Sequence, residues 1–260
     1  MTPLSADPAA ALLRARAAYF AAETARFARD QVLSTVSHDL RGPLNAMHSW
    51  AYVLERQLAH ADANVLRALA GIRTGIEQQT KLIETQVDAP RAATRALALD
   101  CAAVAPAELA QQAAALARLA LADARGTPLE IEPAPDLAAI ISADGERLAQ
   151  ALFAMLTYAA EAGAPHRTVT LAASSDAATL RFEVRFTVHR DALVDAALPH
   201  LLEAFAREQA LQVQDAKRGA WALGLCLRVA QAHGGAFAQD PLVDGAPSTL
   251  ALTLPRTAVR

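Results

Sequence analysis

The chain has 260 residues, 53% of them hydrophobic, and carries Lys+Arg 24 against Asp+Glu 27 for a formal net charge of -3. That is ample for one or two buried cores and leaves no charge surplus that would mark a nucleic-acid or polyanion binder. Cys101 and Cys226 lie far apart in apolar sequence and read as small reduced core residues, not as a disulfide or a metal site.

No apolar run reaches the ~18 residues of a membrane span, and Asp7 and Arg14 stand where a signal peptide would be apolar. A soluble, cytoplasmic protein without a membrane sensor is expected. Residues 1 to 8, with Pro3 and Pro8, form a lead-in, and Ala-rich sequence then continues without a breaker. Leu13, Phe20 and Phe27 recur every seven residues there. The heptad fits a coiled-coil-like extension, and it fits equally an amphipathic helix folded onto its own domain.

Further on, Leu33, Val36, Leu40, Leu44, Met47, Ala51, Leu54 and Leu58 recur at spacings of three and four and form one apolar helical stripe. On that wheel His38 lies roughly 160° from the centre of the stripe and faces solvent, with Arg41 and Asn45 near it and Asp39 on the flank. Imidazole is a good nucleophile near neutral pH, and a neighbouring carboxylate can hold the ring in the tautomer that leaves one nitrogen free to attack phosphorus. Asp39 is the candidate for that task. Pro43 cannot donate to the carbonyl of Asp39, so the helix is expected to bend or loosen just beyond the histidine.

The run Ser37-His-Asp-Leu-Arg-Gly-Pro-Leu-Asn45 closely resembles the phospho-acceptor box of sensor histidine kinases. The resemblance implies that His38 accepts phosphate, with Asp39, Arg41, Pro43 and Asn45 as the other site residues. Related kinases often carry a threonine or asparagine four residues after the histidine to position water for dephosphorylation of the partner. Gly42 stands at that place, so phosphatase activity is not expected.

The first long helix should stop near His60-Ala-Asp-Ala-Asn64, where Asp62 or Asn64 can cap a second. In that second helix Val65, Leu69, Ile72, Ile76, Ile83 and Val87 again follow helical spacing. Two long amphipathic helices expose too much apolar surface alone, and pairing two hairpins into a four-helix bundle covers it. The resemblance implies the same homodimer. The expected organisation is an N-terminal extension over 1–29, the acceptor and dimerisation hairpin over 30–88, a linker over 89–95 with Pro90, and a second domain over 96–257.

That second domain alternates short strands and helices. Strands are expected at 96–99, 128–132, 138–142, 167–173, 178–188, 236–239 and 248–254, with a turn at Asp244-Gly245. Helices are expected at 106–124, 144–162 and 220–233, and an irregular stretch between residues 188 and 220. The fold class is therefore α+β, a helical hairpin followed by an α/β sandwich. The sandwich resembles the ATP-binding domain of the same kinases.

The resemblance holds in the framework and fails at the ligand contacts. Asp144, Arg147, Leu148 and Gln150 match the opening of the family's asparagine-box helix, but the two asparagines fall on Ala154 and Tyr158 and the following lysine on Glu161. A tyrosine cannot replace an amide oxygen on magnesium. The aspartate that would bind adenine and the two glycines after it fall on Phe186, Val188 and Arg190. Leu201-Leu-Glu-Ala-Phe205 resembles the phenylalanine box. In the last glycine-rich box Gly219, Leu223, Gly224 and Leu225 remain, while Ala220 and Ala222 replace glycines whose amides should cradle phosphate. His233-Gly234-Gly235 reads as a helix cap, and His48, His60, His166, His189 and His200 read as solvated surface.

The pattern favours a two-component phosphorelay protein that exchanges a phosphoryl group between His38 and receiver aspartates of response regulators. No bound cofactor or metal of its own is expected, the receiver supplying magnesium. The alternatives are an active ATP-dependent histidine kinase that binds Mg-ATP and phosphorylates itself on His38, and a catalytically silent regulator of a partner kinase.

Overall fold

In the computed structural model, which describes residues 8–91, 94, 96–134, 137, 140–212 and 220–256, the first element is one helix, α1 (Pro8–Gln57). It runs without interruption through Pro43. The chain forms two compact units, one of the residues up to Arg29 together with those from Leu97 on, the other of Asp30–Ala96.

The smaller unit is a helical hairpin. After α1 the chain turns at His60–Asp62, and the Asp62 carboxylate accepts the N–H groups of Asn64 and Val65 at 2.8 and 3.1 Å to start α2 (Ala63–Leu82). The end of α2 widens into a π turn, Ile83–Asp88, and tightens into a 3-10 turn, Ala89–Arg91. Ala89–Arg91 thus stays helical in a stretch the sequence marks as linker. Between the two helices Leu44, Ala51, Ile76 and Ile83 bury one another. Leu33, Val36, Leu40, Met47, Leu54 and Leu58, on the same stripe, remain exposed.

The larger unit is built on a five-stranded mixed sheet, in the order β2 (Leu129–Ile131), β4 (Val169–Ser175), β5 (Thr179–Thr187), β7 (Pro247–Pro255) and β6 (Ala236–Gln239). Only the β2–β4 pair is parallel. A separate antiparallel pair joins β1 (Ala102–Val104) to β3 (Ile141–Ala143). The helices are α3 (Pro106–Ala117), α4 (Gly145–Ala162), α5 (Ala204–Gln212) and α6 (Gly224–Ala232). Pro106 opens α3, where its missing N–H is harmless, and Asp144 caps α4 by accepting the N–H of Arg147 at 3.0 Å. From Leu148 to Ala162 every residue of α4 is buried. Six alanines in that run, counted from Ala149 to Ala162, let its neighbours approach closely.

The start of α1 belongs to this core. Phe20 is fully buried and meets Phe153 of α4 edge to face, with centroids 5.6 Å apart, and Phe27 is buried in the same cluster. Of the two readings of the heptad, the structure takes the helix folded onto its own domain.

Four expectations change. The strand expected at 96–99 lies at Ala102–Val104 instead, because alternating Ala and Leu offers little β preference and the N–H of Asp100 donates to Asp144. Ala204–Gln212, inside the stretch read as irregular, is helical, as its Ala, Arg, Glu, Gln and Leu content favours. The helix expected over 220–233 is split by a 3-10 turn, Trp221–Leu223, before α6. Cys101 is exposed and Cys226 alone is buried, where burial pushes its thiol well above the ordinary range. Of the residues expected at 138–142, 138 and 139 lie outside the described ones. Gly234 and Gly245 both take positive φ, which confirms the glycine cap after α6 and the turn before β7.

Candidate functional site

His38 projects from α1 into solvent, its side chain 89% exposed, and its Nδ1 lies 3.3 Å from Oδ1 of Asp39. A proton on Nδ1 shared with that carboxylate leaves the Nε2 lone pair outward and unobstructed. Asn45 is also exposed and lies with Leu44, His48, Ile76, Thr80 and Lys81 along a groove of about 480 Å³ between α1 and α2.

Beside the histidine lies a charge network that no local pattern in the sequence announces. Arg41, one turn beyond His38, gives an N–H from Nη2 to Oδ2 of Asp88 at 2.6 Å. Ser37 donates its hydroxyl to Oδ1 of the same carboxylate at 3.0 Å. Arg91, 7% exposed, donates from Nη1 to Asp88 Oδ1 at 3.3 Å and from Nε to Asp30 at 2.8 Å. Burial alone would raise the Asp88 carboxyl, but the hydrogen bonds from Ser37 and Arg41 and the charges of both arginines outweigh it and hold the group below the usual carboxylate range. Asp88 stands 47 residues from Arg41 and 51 from Ser37, so only the closed hairpin reveals the contact.

The positions that depart from the kinase pattern in the larger unit are filled by protein. Ala154 and Tyr158 are buried in α4, and the Tyr158 hydroxyl has no hydrogen-bond partner among the described residues. Burial pushes that phenol well above its ordinary range. Glu161, fully buried, accepts the N–H groups of Leu201 and Leu202 at 2.8 and 2.9 Å and meets His200 Nδ1 at 2.7 Å. His200 is therefore no solvated surface residue, because its other nitrogen lies 3.0 Å from the Asp195 carbonyl oxygen. Both ring nitrogens thus face acceptors.

Phe186 and Val188 are buried, the latter bridged to Gly163. The Arg190 guanidinium donates to the carbonyls of Leu242, at 3.0 Å, and Leu211. At the glycine-rich box the N–H of Ala220 donates to the Gln239 side chain and that of Trp221 to Gln209, each at 2.8 Å. Ala222 is buried beside them, Gly224 starts α6, and Gly219 lies outside the described residues. His233 accepts the Asp144 N–H on Nε2 and donates from Nδ1 to Val229, a structural tautomer.

Among solved structures, a histidine kinase from Burkholderia phymatum STM815 is 45% identical, with a TM-score of 0.76, covering 94% of this chain and 99% of that one. The chain belongs to the histidine kinase family. It is accordingly a protein of two-component signal transduction. Full-length ShkA in complex with AMPPNP is 24% identical over 88% of this chain and 46% of its own, with a TM-score of 0.47. The Acinetobacter baumannii histidine kinase AdeS is 12% identical over 84% and 98%, with a TM-score of 0.45. No family model and no curated protein matches the sequence. Among the described residues no helix is long and apolar enough to cross a membrane.

Proposed function

We propose that the chain is a dimeric cytoplasmic phosphotransfer protein, in which His38 takes a phosphoryl group from an aspartyl-phosphate on a response-regulator receiver domain and gives it to another receiver. In the step, Nε2 of His38 attacks phosphorus as the acyl O–P bond breaks. The receiver's carboxylate leaves, and the Nδ1 proton passes to Asp39, so the N–P product is neutral at the ring. The receiver brings the magnesium that offsets charge on the moving group.

What carries the reading is the occupation of the amides at the glycine-rich box, since Ala220 and Trp221 already donate to Gln239 and Gln209. The residues present do not fit Mg-ATP in other respects. A buried phenol stands at a magnesium ligand's place, Phe186 at the adenine acceptor's, and Glu161 at that of a phosphate-binding lysine. The exposed stripe from Leu33 to Leu58 supports the dimer, because a second hairpin would cover it.

The test is transfer from a receiver phosphorylated on its aspartate. Wild type should gain acid-labile, base-stable label, His38→Gln should gain none while staying folded, and Asp39→Asn should slow transfer by roughly 10²-fold. Label on His38→Gln would mean the acceptor is another residue. The name of the 45% identical relative, a histidine kinase, favours a second reading, ATP-dependent autophosphorylation on His38. Label from Mg-ATP in the absence of any receiver would select it.

A further inference from the structure

We propose that Asp88 is a positioning residue for the phosphorylated state of His38: it anchors one terminal nitrogen of Arg41 so that the rest of the guanidinium is held beside the phosphoryl group. The proposal rests on His38 as the acceptor. Residues three apart on a helix are surface neighbours, which puts Arg41 one turn from His38 on its own side of α1. A free arginine there would sweep a wide arc, with its rotamer entropy opposing any one pose. Arg41 is not free in that sense. Nη2 is fixed 2.6 Å from Asp88 Oδ2, while its other N–H groups have no partner among the described residues and the side chain is still 42% exposed.

Asp88 is itself immobilised from the opposite side. Ser37 and Arg91 both donate to its Oδ1, and Arg91 is locked on Asp30 by two further contacts, at 2.8 and 3.4 Å. The two acids and two arginines balance in charge, and the network grades from Asp30 and Arg91, each 7% exposed, through Asp88 at 19%, to Arg41 at the surface. Only the Arg41 end is open, and it opens next to His38. A guanidinium with N–H groups to spare is matched to phosphoryl oxygens.

The test places phosphate on His38 without any protein partner, using potassium phosphoramidate: the imidazole attacks phosphorus and ammonia leaves. The ³¹P resonance of phospho-His38, identified by its loss in His38→Gln, is then titrated. A clamped guanidinium favours the dianion, so Arg41→Gln should raise the phosphoryl pKa by about half a unit or more. Asp88→Asn should raise it in the same direction, and the double variant should rise no further than Arg41→Gln.

A purely electrostatic Asp88 would do the opposite, because removing a nearby negative charge lowers that pKa. A fall, or no change, in Asp88→Asn overturns the proposal. Should Asp88→Asn lose helix content, Asp88→Glu keeps every charge and displaces the anchor, and it should raise the value too; an unchanged value there overturns the proposal as well. The readout is separate from transfer: failure of every receiver to label His38 would sink the phosphotransfer reading and leave the titration to decide Asp88.

Discussion

The contact between His38 and Asp39 is exposed on both sides, so its worth to stability is at most about 1 kcal/mol, and its chemical content is the tautomer it selects. The opposite holds for Glu161 and His200. A fully buried carboxylate that accepts two backbone N–H groups and faces an imidazole 2.7 Å away is expensive to leave unmatched. It stands where related kinases place a lysine, and here it fastens the segment that leads into α5. His200→Ala should therefore destabilise the larger unit by about 3 kcal/mol, a loss urea unfolding would register as a lower midpoint. A change under about 0.5 kcal/mol, the usual effect of a surface substitution, would return His200 to the solvated reading.

Among the elements, α1 does two different jobs along its length. Its early turns supply Phe20 and Phe27 to the sandwich core, so Phe20→Ala should cost about 3–5 kcal/mol in chemical denaturation. A loose extension would lose well under 1 kcal/mol. Its later turns, with α2, were legible as apolar stripes, but spacing alone cannot divide a stripe between an intrachain and an interchain partner. Ile76 is buried inside the hairpin, whereas Ile72, one turn away, is 54% exposed. Ile72→Glu should turn a dimer into a folded monomer in light scattering, and Ile76→Glu should instead reduce helix content. A dimer that survives Ile72→Glu would place the seam elsewhere. The charge network was not legible for a related reason: Asp30, Asp88 and Arg91 look like ordinary surface or linker residues until the π and 3-10 turns at the end of α2 bring Asp88 to Ser37 and Arg41, and Arg91 to Asp30. The strand at Ala102–Val104 was missed because its own pattern is weak and its pairing with Ile141–Ala143 is non-local.

At the scale of the whole molecule, the features that sequence made plain are those with local causes: the cap at Asp62 and the glycine turns. What it left open is how the altered positions are compensated. Each substituted contact is absorbed by packing or a new hydrogen bond, Phe186 and Val188 by burial, Arg190 by two carbonyls, and the amides of Ala220 and Trp221 by two glutamines. These compensations bear on nucleotide affinity together. On the proposed reading, nucleotide binding would have to break two amide hydrogen bonds, expose apolar side chains at the base position, and bring phosphate toward Glu161. Breaking the two bonds alone costs about 1–3 kcal/mol for each group left unpaired, or a 10-fold loss per 1.4 kcal/mol. Titration calorimetry with Mg-ATP should therefore show no saturable heat up to millimolar concentration. Gln209→Ala with Gln239→Ala, which frees both amides, should not restore binding, because the base and metal positions remain filled. Micromolar affinity in the wild type would overturn this account and make ATP the phosphoryl donor to His38.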